Sequence, residues 1–204
     1  MSLATATRKT VVLAAGVLLV STRTFAADRQ IRPFIGATFA GATTVVDPGD
    51  GATKPSIALG GSAVFLGEIF GGEVEIADMP GFFEGNDKNL VPSSRVTTLT
   101  GNVVVAAPHR LTEYALRPYV VAGAGLMRMR STTTFDVFNL STTVPAFDVG
   151  VGAVGFITNS VGVSWELRRF QDIGSNVSHE NGVSFGTEQH LSFWRATMAF
   201  VFRY

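Results

Sequence analysis

From Trp194 to Tyr204 the chain alternates between two chemically distinct sets of side chains. The even positions are Trp194, Ala196, Met198, Phe200, Phe202 and Tyr204, and the odd ones are Arg195, Thr197, Ala199, Val201 and Arg203. A period of two residues is the period of a β-strand, whose successive side chains point to opposite sides. One side of this strand is large, apolar and aromatic, and the other carries two arginines. A fold that uses it must therefore satisfy two opposite environments across a single layer of backbone.

Composition supports strands throughout. Twenty-two glycines and sixteen phenylalanines in 204 residues suit closely packed strands, whereas that much glycine weakens helices. Cysteine is absent, which excludes a disulfide framework, a thiolate metal site and a cysteine nucleophile. Residues 1–26 read as an export signal. Arg8 and Lys9 precede the apolar run Val11–Val20, and Thr24-Phe25-Ala26 ends a small-residue segment. Ten apolar residues are too few for a membrane-spanning helix, which needs about 20. The expected domains are thus the signal, 1–26, and one further domain, 27–204. The exported part carries thirteen basic and sixteen acidic residues, a balance that argues against nucleic-acid binding. After Ala27 no apolar run reaches helical spanning length, so an exported chain of this kind is either soluble or a β-barrel.

Eight segments of strand length lie between turn signals: Arg32–Thr43, Ser56–Leu66, Phe70–Phe82, Arg95–Ala107, Arg117–Ser131, Ala146–Thr158, Val161–Ile173 and His190–Tyr204. Asp47-Pro48-Gly49-Asp50-Gly51 and Glu84–Asn89 mark polar loops, and Asn159-Ser160 has the residues of a two-residue hairpin turn. Long polar connections are expected after the first, third, fifth and seventh segments and very short ones after the second and sixth. Pro108–Leu116 breaks that alternation. The expected fold is all-β: an eight-stranded antiparallel up-and-down transmembrane β-barrel with a closed polar lumen, since long loops at one end and short turns at the other are that architecture's pattern.

Parity assigns the faces. Phe70, Val74 and Ile76 oppose Glu73 and Glu75. Leu99, Val103 and Val105 oppose Thr98, Thr100 and Asn102. Phe147, Val149 and Val151 oppose Asp148, and Val163, Trp165 and Leu167 oppose Ser164, Glu166 and Arg168. In the fifth segment Tyr119, Val121, Met127 and Met129 are expected outside, opposite Arg128 and Arg130, although glycines blur the pattern there. Charges share the parity of Gly36, Gly60, Gly150, Gly152 and Gly162, as expected for the crowded interior of a barrel only just wide enough for side chains. A soluble ligand-binding barrel of the lipocalin kind would show the opposite pattern, polar outside and apolar inside.

The interior set expected from this parity is Glu73, Glu75, Arg128, Asp148, Glu166, Arg168, Arg195 and Arg203. Charges in so narrow a lumen must pair, because an unpaired buried ion costs several kcal/mol. Strand heights place Asp148 between Arg128 and Arg168, Glu166 near Arg195, and Glu73 and Glu75 near Arg32 or Arg203. A salt-bridged plug is favoured over an ion path, since eight strands leave no room for an aqueous channel.

Candidate chemistry is sparse. Ser178-His179-Glu180 has hydrolase residue types, but neighbours on one loop do not converge on one substrate atom. His109 and His190 read as interfacial polar residues, and Asp47 and Asp50 as turn residues rather than calcium ligands. Asn139-Leu-Ser and Asn176-Val-Ser fit a glycosylation acceptor pattern. No catalytic residue, metal or cofactor is expected.

Arg117-Pro-Tyr-Val-Val-Ala-Gly-Ala-Gly-Leu126, Glu166-Leu-Arg-Arg-Phe170 and the terminal Phe193–Tyr204 resemble the small outer-membrane β-barrel family, porin-like proteins of the outer-membrane protein A/X type, over residues 30–204. The resemblance implies a bacterial outer-membrane location and both termini in the periplasm. It also implies insertion by the barrel-assembly machinery, which would read Phe200, Phe202 and Tyr204 as an assembly signal. Family roles range over membrane integrity, adhesion, host interaction and lipid modification. No catalytic residue carries over, and no cell-wall-binding domain is expected after the barrel. The expected function is structural or surface-interacting, as a monomer in outer-membrane lipid. The alternatives are a lipid-modifying enzyme resembling the lipid A deacylases, and a soluble periplasmic ligand binder.

Overall fold

The computed structural model describes residues 28–43, 55–82, 93–108, 112, 116–132, 139–173 and 191–204. Eight strands follow one another in chain order: β1 (Asp28–Thr43), β2 (Ser56–Leu66), β3 (Phe70–Pro80), β4 (Ser93–Ala106), β5 (Leu116–Thr132), β6 (Asn139–Phe156), β7 (Val161–Asp172) and β8 (Leu191–Arg203). Each pairs antiparallel with its neighbours, and β8 returns to β1 to close the barrel. Closure satisfies every strand edge, which an open sheet in lipid could not do.

Seven of the eight expected segments match the observed strands within about four residues at each end. The exception is β6, together with the turn that follows it. The strand begins at Asn139 rather than Ala146, so the β5–β6 hairpin runs on to Thr132↔Asn139. The extension carries Thr142, Thr143 and Val144, whose β-branched side chains favour strand over loop. Pro145 sits within it opposite Leu126, at a position that needs no donated backbone hydrogen bond from residue 145. The connection after β5, residues 133–138, is consequently short and not long. The β6–β7 turn spans residues 157–160, with Ile157 and Thr158 both donating to the Val161 carbonyl, so it is four residues and not the expected two.

The outer surface is apolar. Phe70 is 69% exposed, Ile57 59% and Phe200 58%, values that no aqueous surface tolerates in such density. The interior is layered. At the long-loop end Met79, Phe82, Val96, Met127, Met129, Phe170, Leu191 and Phe193 form one apolar cluster, with Phe193 stacked on Phe170 at 5.1 Å. At the short-turn end Val64, Leu66, Val104, Tyr119, Val121, Val154 and Val201 form another. The charged residues lie between them. The lumen is therefore closed, but it is polar only in its middle third.

That layering overturns the face assignment of β5. Tyr119, Val121, Met127 and Met129 are buried inside, and Leu116, Val120, Ala122, Ala124, Leu126, Arg128 and Arg130 point outward. Hydrophobicity alone misassigns this strand because its inner residues serve the two apolar layers and are larger than its lipid-facing ones. Register decides the matter: Gly123 pairs with Asn102 and Asp148, both inward residues.

Candidate functional site

The middle layer is a belt of charge centred on Arg168. Pairing around the barrel sets its level, since adjacent ladder partners on strands tilted by about 40° differ in height by only about 3 Å. Arg195 opposes Arg168, Arg168 opposes Gly150, Asp148 opposes Gly123, Gly123 opposes Asn102, and Asn102 opposes Glu73. Glycine thus faces most of the large polar side chains. A Cβ on Gly123 would lie 1.9 Å from Asn102 Oδ1 and 2.4 Å from the Gly101 carbonyl, and one on Gly152 would lie 2.5 Å from the Tyr119 ring. These glycines make room for the belt. Gly123→Ala is accordingly expected to lower stability by about 1–3 kcal/mol, the usual cost of overpacking, read as a lower urea midpoint of the folded barrel in detergent. An unchanged midpoint would mean that the belt is not tightly packed at Asn102.

The Arg168 guanidinium meets four carboxylates. Its Nη2 is 2.5 Å from Glu73 Oε2, its Nη1 is 3.1 Å from Asp148 Oδ2 and 3.5 Å from Glu75 Oε2, and its Nε is 2.5 Å from Glu166 Oε1. A rigid fork with five N–H donors can serve several acceptors at once, which a lysine cannot. Glu75 also accepts from Arg195 Nη2 at 2.6 Å. The Nε and Nη1 of Arg195 make no hydrogen bond among the described residues, and the group lies between the Phe34 and Phe170 rings, 5.0 and 4.6 Å from their centroids. Cation–π attraction replaces hydrogen bonding there. Asn102 donates to Glu73 at 3.2 Å, and the Tyr119 hydroxyl donates to Glu166 at 3.0 Å. Arg32 stacks over Tyr119 at 5.1 Å and donates twice to Gln30 Oε1.

Several expected pairings are corrected. Asp148 does meet Arg168, but Arg128 is outside and takes no part. Glu166 binds Arg168, not Arg195, because positions 166 and 168 are adjacent on one face of β7, while Thr197 is the residue opposite Glu166. Glu73 and Glu75 reach across the lumen to Arg168 and Arg195, not to Arg32 or Arg203. Arg203 lies at the short-turn rim, where it donates to the Asn159 carbonyl at 2.8 and 2.6 Å, lies 3.6 Å from Asp28 and stacks on Phe156. Phe200, Phe202 and Tyr204 all face outward near the same rim. Residues 1–27, Asp47, Asp50, His109, Asn176, Ser178-His179-Glu180 and His190 lie outside the described residues.

One contributor escapes the sequence reading. Arg117, 4% exposed, donates to the carbonyls of Ala107 at 2.8 Å, Glu68 at 2.6 Å and Gly67 at 3.3 Å, binding two turns together at the short-turn end. Just after β4 the Ala107 N–H donates to the Pro118 carbonyl at 2.9 Å. An arginine beside a proline at a strand start gives no spacing signal for this role.

The belt leaves almost no space. The void bordered by Arg32, Ser62, Glu73, Glu75, Tyr119 and Ser164 holds about 10 Å3, roughly one water.

A closed eight-stranded barrel, apolar outside and charged within, is the fold of a transmembrane β-barrel. Solved structures of that fold superpose on this chain. Neisserial surface protein A aligns with a TM-score of 0.62 at 10% identity, covering 87% of this chain and 97% of that one. The N-terminal β-barrel domain of Pseudomonas aeruginosa OprF aligns at 0.49 and 12% identity over 86% and 97% of the two chains. A major outer membrane protein of Thermus thermophilus aligns at 0.45 and 12% identity over 85% and 99%. What the chain shares with Neisserial surface protein A at that identity is the fold. No family model matches the chain, and no curated protein matches its sequence.

Proposed function

We propose that this chain is a bacterial outer-membrane β-barrel with a structural or surface-interacting role, exported by a cleaved signal at residues 1–26. In this reading it works as a monomer, is inserted by the barrel-assembly machinery through Phe200, Phe202 and Tyr204, and is not a pore. The observation that carries it is the stacked lumen: an ion would have to cross two apolar layers and a belt of interlocked salt bridges. Hydrophobic constriction and fixed charge both oppose conduction. The full exported chain, reconstituted in planar bilayers, should give no steady conductance above the lipid baseline. Stable unitary steps from the purified protein would overturn the plug.

The absence of catalysis belongs to the same proposal. The alternative, a lipid-modifying enzyme, is tested by mass spectrometry of lipid A from cells with and without the protein. An unchanged acylation pattern is the expected result, and a lost or gained acyl chain would establish the enzyme. The soluble ligand-binding alternative is disfavoured by the apolar exterior. It predicts an aqueous fraction without detergent, where the barrel reading predicts membrane fractionation and heat-modifiable gel migration.

A further inference from the structure

A cleft of about 410 Å3 is cut into the outer wall where β7, β8 and β1 meet. Trp165 and Val163 on β7, Met198 and Phe200 on β8, and Ile35 on β1 form its walls. Trp165 pairs with Met198 and Met198 with Ile35, so three large side chains from three strands stand in one row, with Val163 and Phe200 in the row below. Between the rows the floor reaches Phe34 and Ala199, ladder partners whose side chains face the lumen. The cleft therefore descends to the strand backbone. Pro33 opens it on the β1 side. Its ring is short, and its partner on β2 is Gly61, so nothing tall stands beside Phe200 there.

Every wall is apolar, and the volume is that of a small-molecule site, about 300–1,000 Å3. Its height fits one leaflet. Arg29, the outward residue at the short-turn end of β1, is exposed and in no ion pair among the described residues, while its neighbour Asp28 turns inward to Gln30 and Arg203. Pro33 and Ile35 stand four and six residues above Arg29. At about 3.3 Å per residue on a strand tilted by about 40°, the cleft lies roughly 10–15 Å above it. The chains of one leaflet extend about 15 Å, half the thickness of the hydrocarbon core. Ile31 and Phe202, paired and outward, join the cleft to Arg29 by a continuous apolar path.

We propose that this cleft holds one acyl chain of an anionic phospholipid in the leaflet at the short-turn end, with the lipid's phosphate on Arg29. The proposal rests on the membrane reading above. A guanidinium fork matches a phosphate through paired N–H···O bonds, and a cation at headgroup level favours an anionic lipid. A second copy of the chain fits less well. A stable interface takes about 20–30 residues a side, and the cleft offers only a handful of outward side chains from three strands.

The test is native mass spectrometry of the folded full chain in zwitterionic detergent, titrated with phosphatidylglycerol, with phosphatidylcholine of the same chains, or with inorganic phosphate. Heat-modifiable migration, checked first, reports the folded barrel. Its absence in the parent would defeat the membrane reading and the proposal with it, whereas a folded barrel without lipid adducts defeats the proposal alone. Phosphatidylglycerol should form one-to-one adducts. Val163→Trp, which fills the cleft from β7, should weaken them at least tenfold, and Ile35→Trp, which fills it from β1, should do the same if the first variant does not fold. Val103→Trp, outward on β4 across the barrel, should change nothing. Arg29→Gln should bring phosphatidylglycerol binding down to the level of phosphatidylcholine. Undiminished binding by a folded filling variant, an equal loss in Val103→Trp, a preference for phosphatidylglycerol that survives Arg29→Gln, displacement of the lipid by millimolar phosphate, or a dimer in place of the lipid adduct would each overturn the proposal.

Discussion

Arg168→Ala is expected to destabilise the barrel by about 3–5 kcal/mol, the range for removing one partner from a buried ion pair. The guanidinium is 1% exposed and is the shared partner of Glu73, Glu75, Asp148 and Glu166. Its removal strands four carboxylates in the narrow middle of the lumen, with Arg195 left to neutralise Glu75. Urea unfolding of the protein folded in lipid vesicles, followed by tryptophan fluorescence and gel migration, measures the loss. Arg168→Lys should fall between parent and alanine variant, because an ammonium is a point charge and cannot reproduce the fork. Adding Asp148→Asn to Arg168→Ala should recover part of the loss, since one unpaired charge is then gone. A cost below about 1 kcal/mol for Arg168→Ala would mean that water enters the lumen and screens the belt.

Val120→Arg is expected to cost about 2–4 kcal/mol, and Leu126→Arg about 0–1, by the depth dependence of arginine on a barrel's lipid face. Both side chains face outward and are about half exposed. Val120 is four residues above the short-turn end of β5, near the middle of the apolar run, and Leu126 closes that run beside Arg128. The same unfolding assay in vesicles reads both. Equal costs at the two depths would contradict the placement of the apolar band.

Legibility in the sequence follows chemical contrast along each strand. In β3, β4, β6, β7 and β8, apolar residues alternate with charged or polar ones, and the faces assigned from parity are those observed. In β5 both parities are mostly apolar or glycine, so parity carries no information and residue size points the wrong way. Glu73, Glu75, Asp148, Glu166, Arg168 and Arg195 can be placed inside from their strands alone, but their partners cannot. Strand heights are known from sequence to within a few residues, whereas a side chain chooses among partners on a scale of a few ångströms. Glu73 reaches Arg168 across the lumen, 95 residues away in the chain. No local pattern encodes that choice. Arg117 is invisible for the same reason, since its acceptors are carbonyls of two turns brought to it by closure.

The sequence by itself determined that this chain forms strands, how many, and which of most strands' faces meets lipid, because a period of two in side-chain polarity is a local property of each strand. It also determined that the interior charges must pair, because a narrow lumen excludes the water that would otherwise solvate them. The tertiary structure alone decided which charges meet, that apolar layers cap the belt above and below, and that Arg128 stands outside. Those are consequences of register and shear around a closed ladder, where a shift of one residue moves a side chain to the other face of the wall.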